Sequence, residues 1–317
     1  MAENLIEVSH LKKYFNTPGG KLHAVDDLSF SIEKGKTLGL VGESGCGKST
    51  TGRCILRLIE PTSGSIRFEG QEITALSAKE MRVKRREMQI IFQDPFSSLD
   101  PRMTVGDAIR EPIVYNRILR DRGAVERRVR ELMDTVGLAD RLYGAYPHEL
   151  DGGRRQRIGI ARALAVDPKF IICDEPVSAL DVSIQAQILN LLKDLKEDLG
   201  LTYVFITHDL SVVNFFSDEI AVMYLGQIVE KAPVDELFDN PLHPYTKALF
   251  SAIPIPDIHE KREQILLKGE ITSPVDPPDQ CRFFKRCICP CEKCEGCAPT
   301  LKEVKPGHFV SCHLTDA

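Results

Sequence analysis

The run Gly42-Glu43-Ser44-Gly45-Cys46-Gly47-Lys48-Ser49, with Thr50 directly behind it, has the residue types and spacing of a phosphate cradle. Its glycines let backbone N–H groups curve around an oxyanion, Lys48 reaches the β- and γ-phosphates of a nucleotide, and the Ser49 hydroxyl suits Mg²⁺. The run follows the apolar segment Thr37–Val41 and precedes a helical pattern, which is the strand, loop and helix order this chemistry requires. A second apolar segment, Phe170–Cys173, ends in Asp174 and Glu175. Alone, two acidic residues at a strand end read as a solvated turn. Beside a phosphate cradle, Asp174 suits the Mg²⁺ shell and Glu175 suits a general base for an attacking water.

Seven of the ten cysteines fall between Cys281 and Cys312, whereas Cys46, Cys54 and Cys173 are scattered through the rest. The N-terminus lacks the basic and apolar blocks of an export signal, so the clustered thiols point to a metal or redox site rather than to disulfides. No apolar run approaches the roughly 18 residues needed to cross a bilayer. A net charge of −5, with 41 Lys and Arg against 46 Asp and Glu, favours no nucleic-acid partner. The basic clusters at 79–86 and 117–130 lack interleaved aromatics and read as solvated helix faces.

These residues need a scaffold, and the patterning supplies an α/β one. Segments 37–41 and 170–173 are apolar throughout, as strands buried on both faces are. Strand signals vanish from about 94 to 165, where helical patterns take over, and return at Tyr203–Thr207 and Ile220–Tyr224 behind a helix over Ser183–Leu199. Beyond Leu237 the text is punctuated by proline (NPLHPY, IPIPD, SPVDPPDQ), and the cysteine segment carries too few apolar residues for a core of its own.

Taken in order, these motifs resemble the nucleotide-binding subunits of ABC transporters over roughly residues 4–240. The resemblance implies an α/β P-loop ATPase domain with a mostly parallel core sheet, an antiparallel β subdomain and a helical insertion at about 95–165. It also implies ATP and Mg²⁺ as ligands and assigns further roles. Gln93, in IIFQDP, matches the glutamine that approaches Mg²⁺ and links the site to membrane subunits. His208, in ITHD, matches the histidine that contacts the γ-phosphate, and Tyr14 sits where the family stacks a ring on adenine. Asp181, in SALD, matches the loop that faces the second subunit.

One motif departs from the family pattern. The signature Leu-Ser-Gly-Gly-Gln is replaced by Leu150-Asp151-Gly152-Gly153-Arg154. In the family this segment meets the γ-phosphate held by the opposite subunit, so Asp151 brings like charge to a polyanion and Arg154 offsets part of it. The substitution points to unequal ATP sites and to a second, different ATPase subunit; a tolerated variant with Asp151 turned to solvent is the alternative.

The segment from Asn240 to Thr246 (NPLHPYT) and the tail behind it resemble the ATPase subunits of oligopeptide and dipeptide permeases. The chain then divides into a nucleotide-binding domain at 1–240 and a cysteine-rich, metal-binding extension at 241–317. Within that resemblance Cys281, Cys287, Cys294 and Cys312 match four cysteines that hold an iron–sulfur cluster in some members. Four thiolates suit [4Fe–4S] or Zn²⁺ equally, and Cys289, Cys291 and Cys297 add competing ligands. The implied partners are two transmembrane permease subunits and an extracytoplasmic peptide-binding protein, with this chain on the cytoplasmic face of the membrane. Import of another small solute, or a soluble ABC-type ATPase of iron–sulfur assembly, are the competing readings.

Overall fold

The computed structural model describes residues 3–94, 98–253, 264–269 and 272–315. Its strands are β1 (Asn4–Thr17), β2 (Gly20–Glu33), β3 (Thr37–Val41), β4 (Ser63–Phe68), β5 (Gln71–Glu72), β6 (Met88–Ile91), β7 (Phe170–Asp174), β8 (Thr202–Thr207), β9 (Glu219–Tyr224), β10 (Gln227–Pro233), β11 (Lys302–Lys305) and β12 (His308–Val310). Its helices are α1 (Lys48–Ile55), α2 (Ala78–Lys84), α3 (Val105–Tyr115), α4 (Arg122–Thr135), α5 (Gly152–Leu164), α6 (Val182–Leu199), α7 (Leu210–Phe216), α8 (Val234–Asp239), α9 (Pro244–Ser251) and α10 (Lys293–Gly296). None of the described helices is long and apolar enough to cross a membrane. Residues 95–97, within the expected helical insertion, and 254–257, within IPIPD, lie outside the described residues.

The chain forms two compact units, one of residues 1–3, 33–36 and 75–206, the other of 4–32, 37–74 and 207–317. In the first, β6, β7 and β8 run parallel, with every residue of β7 and β8 buried. That burial is what their unbroken apolar text demands. The described residues between β6 and β7 contain helices and no strand, as expected. Helix α5 is capped by Asp151 and buries Ile158, Ile160, Ala161 and Leu164, while α6 buries Ile188, Leu189, Leu192 and Leu195 and stops at Gly200 in the left-handed region.

In the second unit, β2, β1, β4 and β5 form a sheet in that order, antiparallel at β1–β4 and β4–β5. The other strands follow the order β11, β12, β10, β9, β3. Only β3–β9 is parallel there; β9–β10, β10–β12 and β11–β12 are antiparallel. The β2-β1-β4-β5 sheet is the expected antiparallel subdomain, the pairs β6–β7, β7–β8 and β3–β9 are parallel as expected of the core, and β10, β11 and β12 add antiparallel strands, so the sheets taken together are mixed. Leu225 and Gly226, both at positive φ, join β9 to β10, and a link this short reverses the chain instead of crossing over.

The cysteine segment does not stand as a separate core. Phe283 is 2% exposed and packs edge-on to Tyr224, with centroids 5.3 Å apart, and against Tyr245 at 5.4 Å. Burying this one ring stabilises the attachment by about 2–3 kcal/mol. Strand β12 adds to β10, and His308, fully buried, presents Nε2 to Glu230 at 2.8 Å and Nδ1 to Glu236 at 3.2 Å.

Candidate active site

The phosphate cradle joins β3 to α1 and belongs to the second unit. Gly42 and Gly47 have φ of 149° and 104°, and a Cβ on either would lie 2.2 Å from the Met223 carbonyl or 2.0 Å from that of Ala24. Only glycine satisfies both the backbone angle and the close approach. Lys48 opens α1 and is 5% exposed; its Nζ donates to the carbonyls of Gly42 at 2.7 Å and Glu43 at 3.0 Å. The ammonium is thus held over the loop by weak neutral acceptors, which a phosphate oxygen readily outcompetes. Ser49 and Thr50 follow on the first turn, both half-buried.

Tyr14 stacks on His23, with centroids 3.9 Å apart and planes at 18°, and donates its hydroxyl to Asp26. Burial and the Asp26 carboxylate raise its phenol pKa well above the ordinary value. Arg282 also reaches Asp26 and donates to the Leu225 carbonyl. One face of the Tyr14 ring is covered by His23. His208 follows β8 directly and is exposed, one residue before Asp209, the cap of α7.

The first unit holds the remaining candidates. Asp174 closes β7 at 3% exposure. At Glu175 the chain turns into the left-handed region, φ 48°, held by a hydrogen bond from its N–H to the Ile206 carbonyl at 2.9 Å. A non-glycine residue there costs about 1–2 kcal/mol, and such strain collects at functional sites. Gln93 donates Nε2 to Glu175 Oε2 at 2.7 Å, with Ser178 Oγ 3.5 Å away. Gln185 holds the next turn, donating to the carbonyls of Val177 at 3.0 Å and Leu180 at 2.9 Å, so that Asp181 begins α6.

Asp151 has a local role that its place in the signature did not announce. Its Oδ1 accepts from the Arg154 N–H at 2.8 Å as the cap of α5, and its Oδ2 pairs with Arg154 Nη1 at 3.2 Å. Aspartate caps a helix as well as serine does, so the exchange preserves α5. Both side chains are about half exposed, at 59% and 49%. Leu150 is buried, and Gly153 sits where a Cβ would lie 2.6 Å from Ile184 Cγ2.

The metal site expected at the cysteines is not borne out by the structure. Among the described residues, no three His, Cys, Asp or Glu side chains are placed to hold one metal ion. The Cys291 and Cys294 sulfurs lie 3.3 Å apart and those of Cys287 and Cys289 lie 4.0 Å apart. Cys281 meets Cys294 through the backbone, N–H to carbonyl at 2.9 Å. These two sulfur contacts join near neighbours in sequence, and no metal-binding arrangement of Cys281, Cys287, Cys294 and Cys312 is found among the described residues.

Sequence reading missed three residues of the extension that reach the phosphate loop or the Tyr14 partner Asp26. Arg286 holds the Glu43 carboxylate with two bonds, 2.7 and 3.0 Å; Tyr245 Oη accepts the Glu43 N–H at 3.0 Å; Arg282 reaches Asp26. The signal for the arginines was their pair inside CRFFKRC, where only the cysteines drew notice, and Tyr245 lay in NPLHPYT, read as a turn and family marker.

Residues 25–178 match the family model described as ABC transporter, and residues 229–294 match that described as Oligopeptide/dipeptide transporter, C-terminal region. The chain is 54% identical over 313 residues to the oligopeptide transport ATP-binding protein OppF of Bacillus subtilis, covering 98% of this chain and 97% of the relative. It is 51% identical over 308 residues to a putative peptide import ATP-binding protein of Brucella ovis, covering 97% of each. Among solved structures it resembles a dimeric ATP-binding cassette in a post-hydrolysis state bound to ADP and Pi, with a TM-score of 0.67 at 28% identity, covering 72% of this chain and 98% of that one. A second match, cbiO1 of Clostridium perfringens, has a TM-score of 0.66 at 28% identity, covering 75% and 92%. With a phosphate cradle, a capped signature helix and near full-length identity above one half, the chain belongs to the family of oligopeptide/dipeptide ABC-transporter ATP-binding subunits.

Proposed function

We infer that this chain hydrolyses ATP to energise oligopeptide uptake through an ABC importer. The observation that carries this reading is the joint match of the ATPase core and the peptide-transporter C-terminal region in one chain, aligned over 98% of its length with an oligopeptide transport subunit. Residues 1–240 serve as the nucleotide-binding domain and 241–317 as its extension, with the chain held on the cytoplasmic face by two permease subunits that receive an extracytoplasmic peptide-binding protein's cargo.

In the reaction, the 42–50 loop and Lys48 receive the phosphates, and the Tyr14 ring stacks with adenine. Glu175 takes a proton from the attacking water, Gln93 orients that carboxylate, and His208 meets the γ-phosphate. Ser49, Gln93 and Asp174 offer the hard oxygen ligands that would hold Mg²⁺, which when bound would offset phosphate charge. Closure of two ATPase subunits and their reopening after hydrolysis carries the motion to the permease.

The second ATPase subunit is taken to be a different chain. Asp151 supports this, because a homodimer would set a carboxylate toward both nucleotides, whereas Asp181 and Gly152–Arg154 keep the family's positions for the facing site. No step is assigned to a metal cluster. Anaerobic purification decides the tail's content: iron with acid-labile sulfide assigns a cluster, zinc without sulfide a structural ion.

Affinity purification of this subunit from membranes tests the reading. Two permease subunits and a second ATPase should accompany it, and peptide should stimulate ATP turnover in the reconstituted complex. Recovery with soluble iron–sulfur assembly proteins, or stimulation by a non-peptide solute alone, would overturn it.

A further inference from the structure

Glu43 is the second residue of the phosphate loop, and all of its polar groups are occupied. Its N–H goes to Tyr245 Oη, its carbonyl accepts from Lys48 Nζ, and both carboxylate oxygens pair with Arg286. Two of those three partners come from beyond residue 240. Tyr245 is fully buried and is set by its own network: His243 Nδ1 accepts the Tyr245 N–H at 3.0 Å, and Glu230 accepts the N–H groups of Leu242 at 2.7 Å and His243 at 3.0 Å. Glu230 in turn meets His308 of β12. Arg286 is 7% exposed, its guanidinium 5.8 Å from the Tyr224 ring centroid. A continuous chain of buried polar contacts therefore runs from the C-terminal hairpin through the NPLHPYT turn to the phosphate loop.

A carboxylate beside a polyphosphate site repels the ligand unless something neutralises it. Glu43 stands in that position. A planar guanidinium joined by two bonds is the side chain best suited to neutralise and orient a carboxylate together, and a lysine's point charge would not fix its plane.

We propose that the C-terminal extension completes the nucleotide site: Arg286 is a positioning residue that neutralises Glu43 and fixes the phosphate loop for ATP. Residues 281–287 are thereby part of the ATPase, and the extension sets nucleotide affinity. The inference rests on reading 42–49 as the phosphate loop, and its test separates the two.

The measurement is the affinity of the purified transporter complex for a non-hydrolysable ATP analogue, with KM and kcat for ATP alongside. Arg286→Gln should weaken binding roughly tenfold, equivalent to about 1.4 kcal/mol, and raise KM with kcat changed less than threefold. The double variant Glu43→Gln, Arg286→Gln should recover affinity to within threefold of the parent, because the repelling carboxylate is gone. A merely structural tether would not be rescued by removing its other half. Affinity within twofold of the parent in Arg286→Gln, or a loss that Glu43→Gln leaves in place, overturns the proposal. Should Arg286→Gln fail to assemble, Glu43→Gln alone should bind at least as tightly as the parent, and a tenfold loss there overturns it equally. Lys48→Ala tests the underlying reading: normal binding in that variant removes the phosphate loop itself, whereas its loss beside an unchanged Arg286→Gln removes only the extension's role.

Discussion

Gln93 Nε2 lies 2.7 Å from Glu175 Oε2, so the residue expected to signal to the membrane subunits holds the residue expected to activate water. The amide donor orients the carboxylate without neutralising it. Gln93→Ala should lower kcat by about tenfold to a hundredfold, with a smaller loss of MgATP binding, because the carboxylate loses its orientation and the ion one of its oxygen ligands. Steady-state turnover and analogue binding in the same complex check this; an equal effect on both would place Gln93 in binding instead.

The cap at Asp151 gives a stability test and an activity test that point in different directions. Asp151→Ala should cost about 1 kcal/mol in unfolding free energy and Asp151→Ser only a few tenths, since serine also accepts the Arg154 N–H. With a different partner subunit, the site built from this chain's Lys48 and Glu175 should do most of the hydrolysis. Inactivating Glu175 should then abolish turnover, whereas inactivating the partner's equivalent glutamate leaves much of it. Equal losses contradict unequal sites, as does a fully active homodimer of this chain.

His243 is buried and its desolvation lowers its pKa from 6.5 to about 3. Between these values the unfolded chain binds a proton that the folded chain refuses, so stability falls as pH drops below 6.5. At pH 5 this one group costs about 2 kcal/mol relative to neutral pH. His243→Asn keeps an acceptor for the Tyr245 N–H and removes the titration. Its urea midpoint should therefore fall less between pH 7.5 and pH 5 than the parent's, and parallel curves would contradict the assignment.

The phosphate loop and the acidic strand end were legible because their chemistry depends on local spacing, and β3, β7 and α6 carried unambiguous periodicity. What stayed hidden has a physical cause in each case. Arg286 and Glu43 are 243 positions apart, a pairing no local pattern encodes. The antiparallel addition of β10 to β9 follows from the two-residue turn Leu225–Gly226, which reads as loop text. Cysteine spacing states which thiols exist, not which sulfurs meet, and the contact of Cys291 with Cys294 was not foreseen. Asp151 was read for its charge toward a phosphate, while its first duty is to a helix end three residues away.

The account centres on Glu175 as the base, and one measurement addresses it most directly: phosphate release by the assembled transporter carrying Glu175→Gln. The amide keeps the shape and the bond network but cannot take a proton. Turnover should fall by about a hundredfold or more, with MgATP still bound and retained in a closed ATPase pair. Turnover near that of the parent, with nucleotide bound normally, would contradict the account.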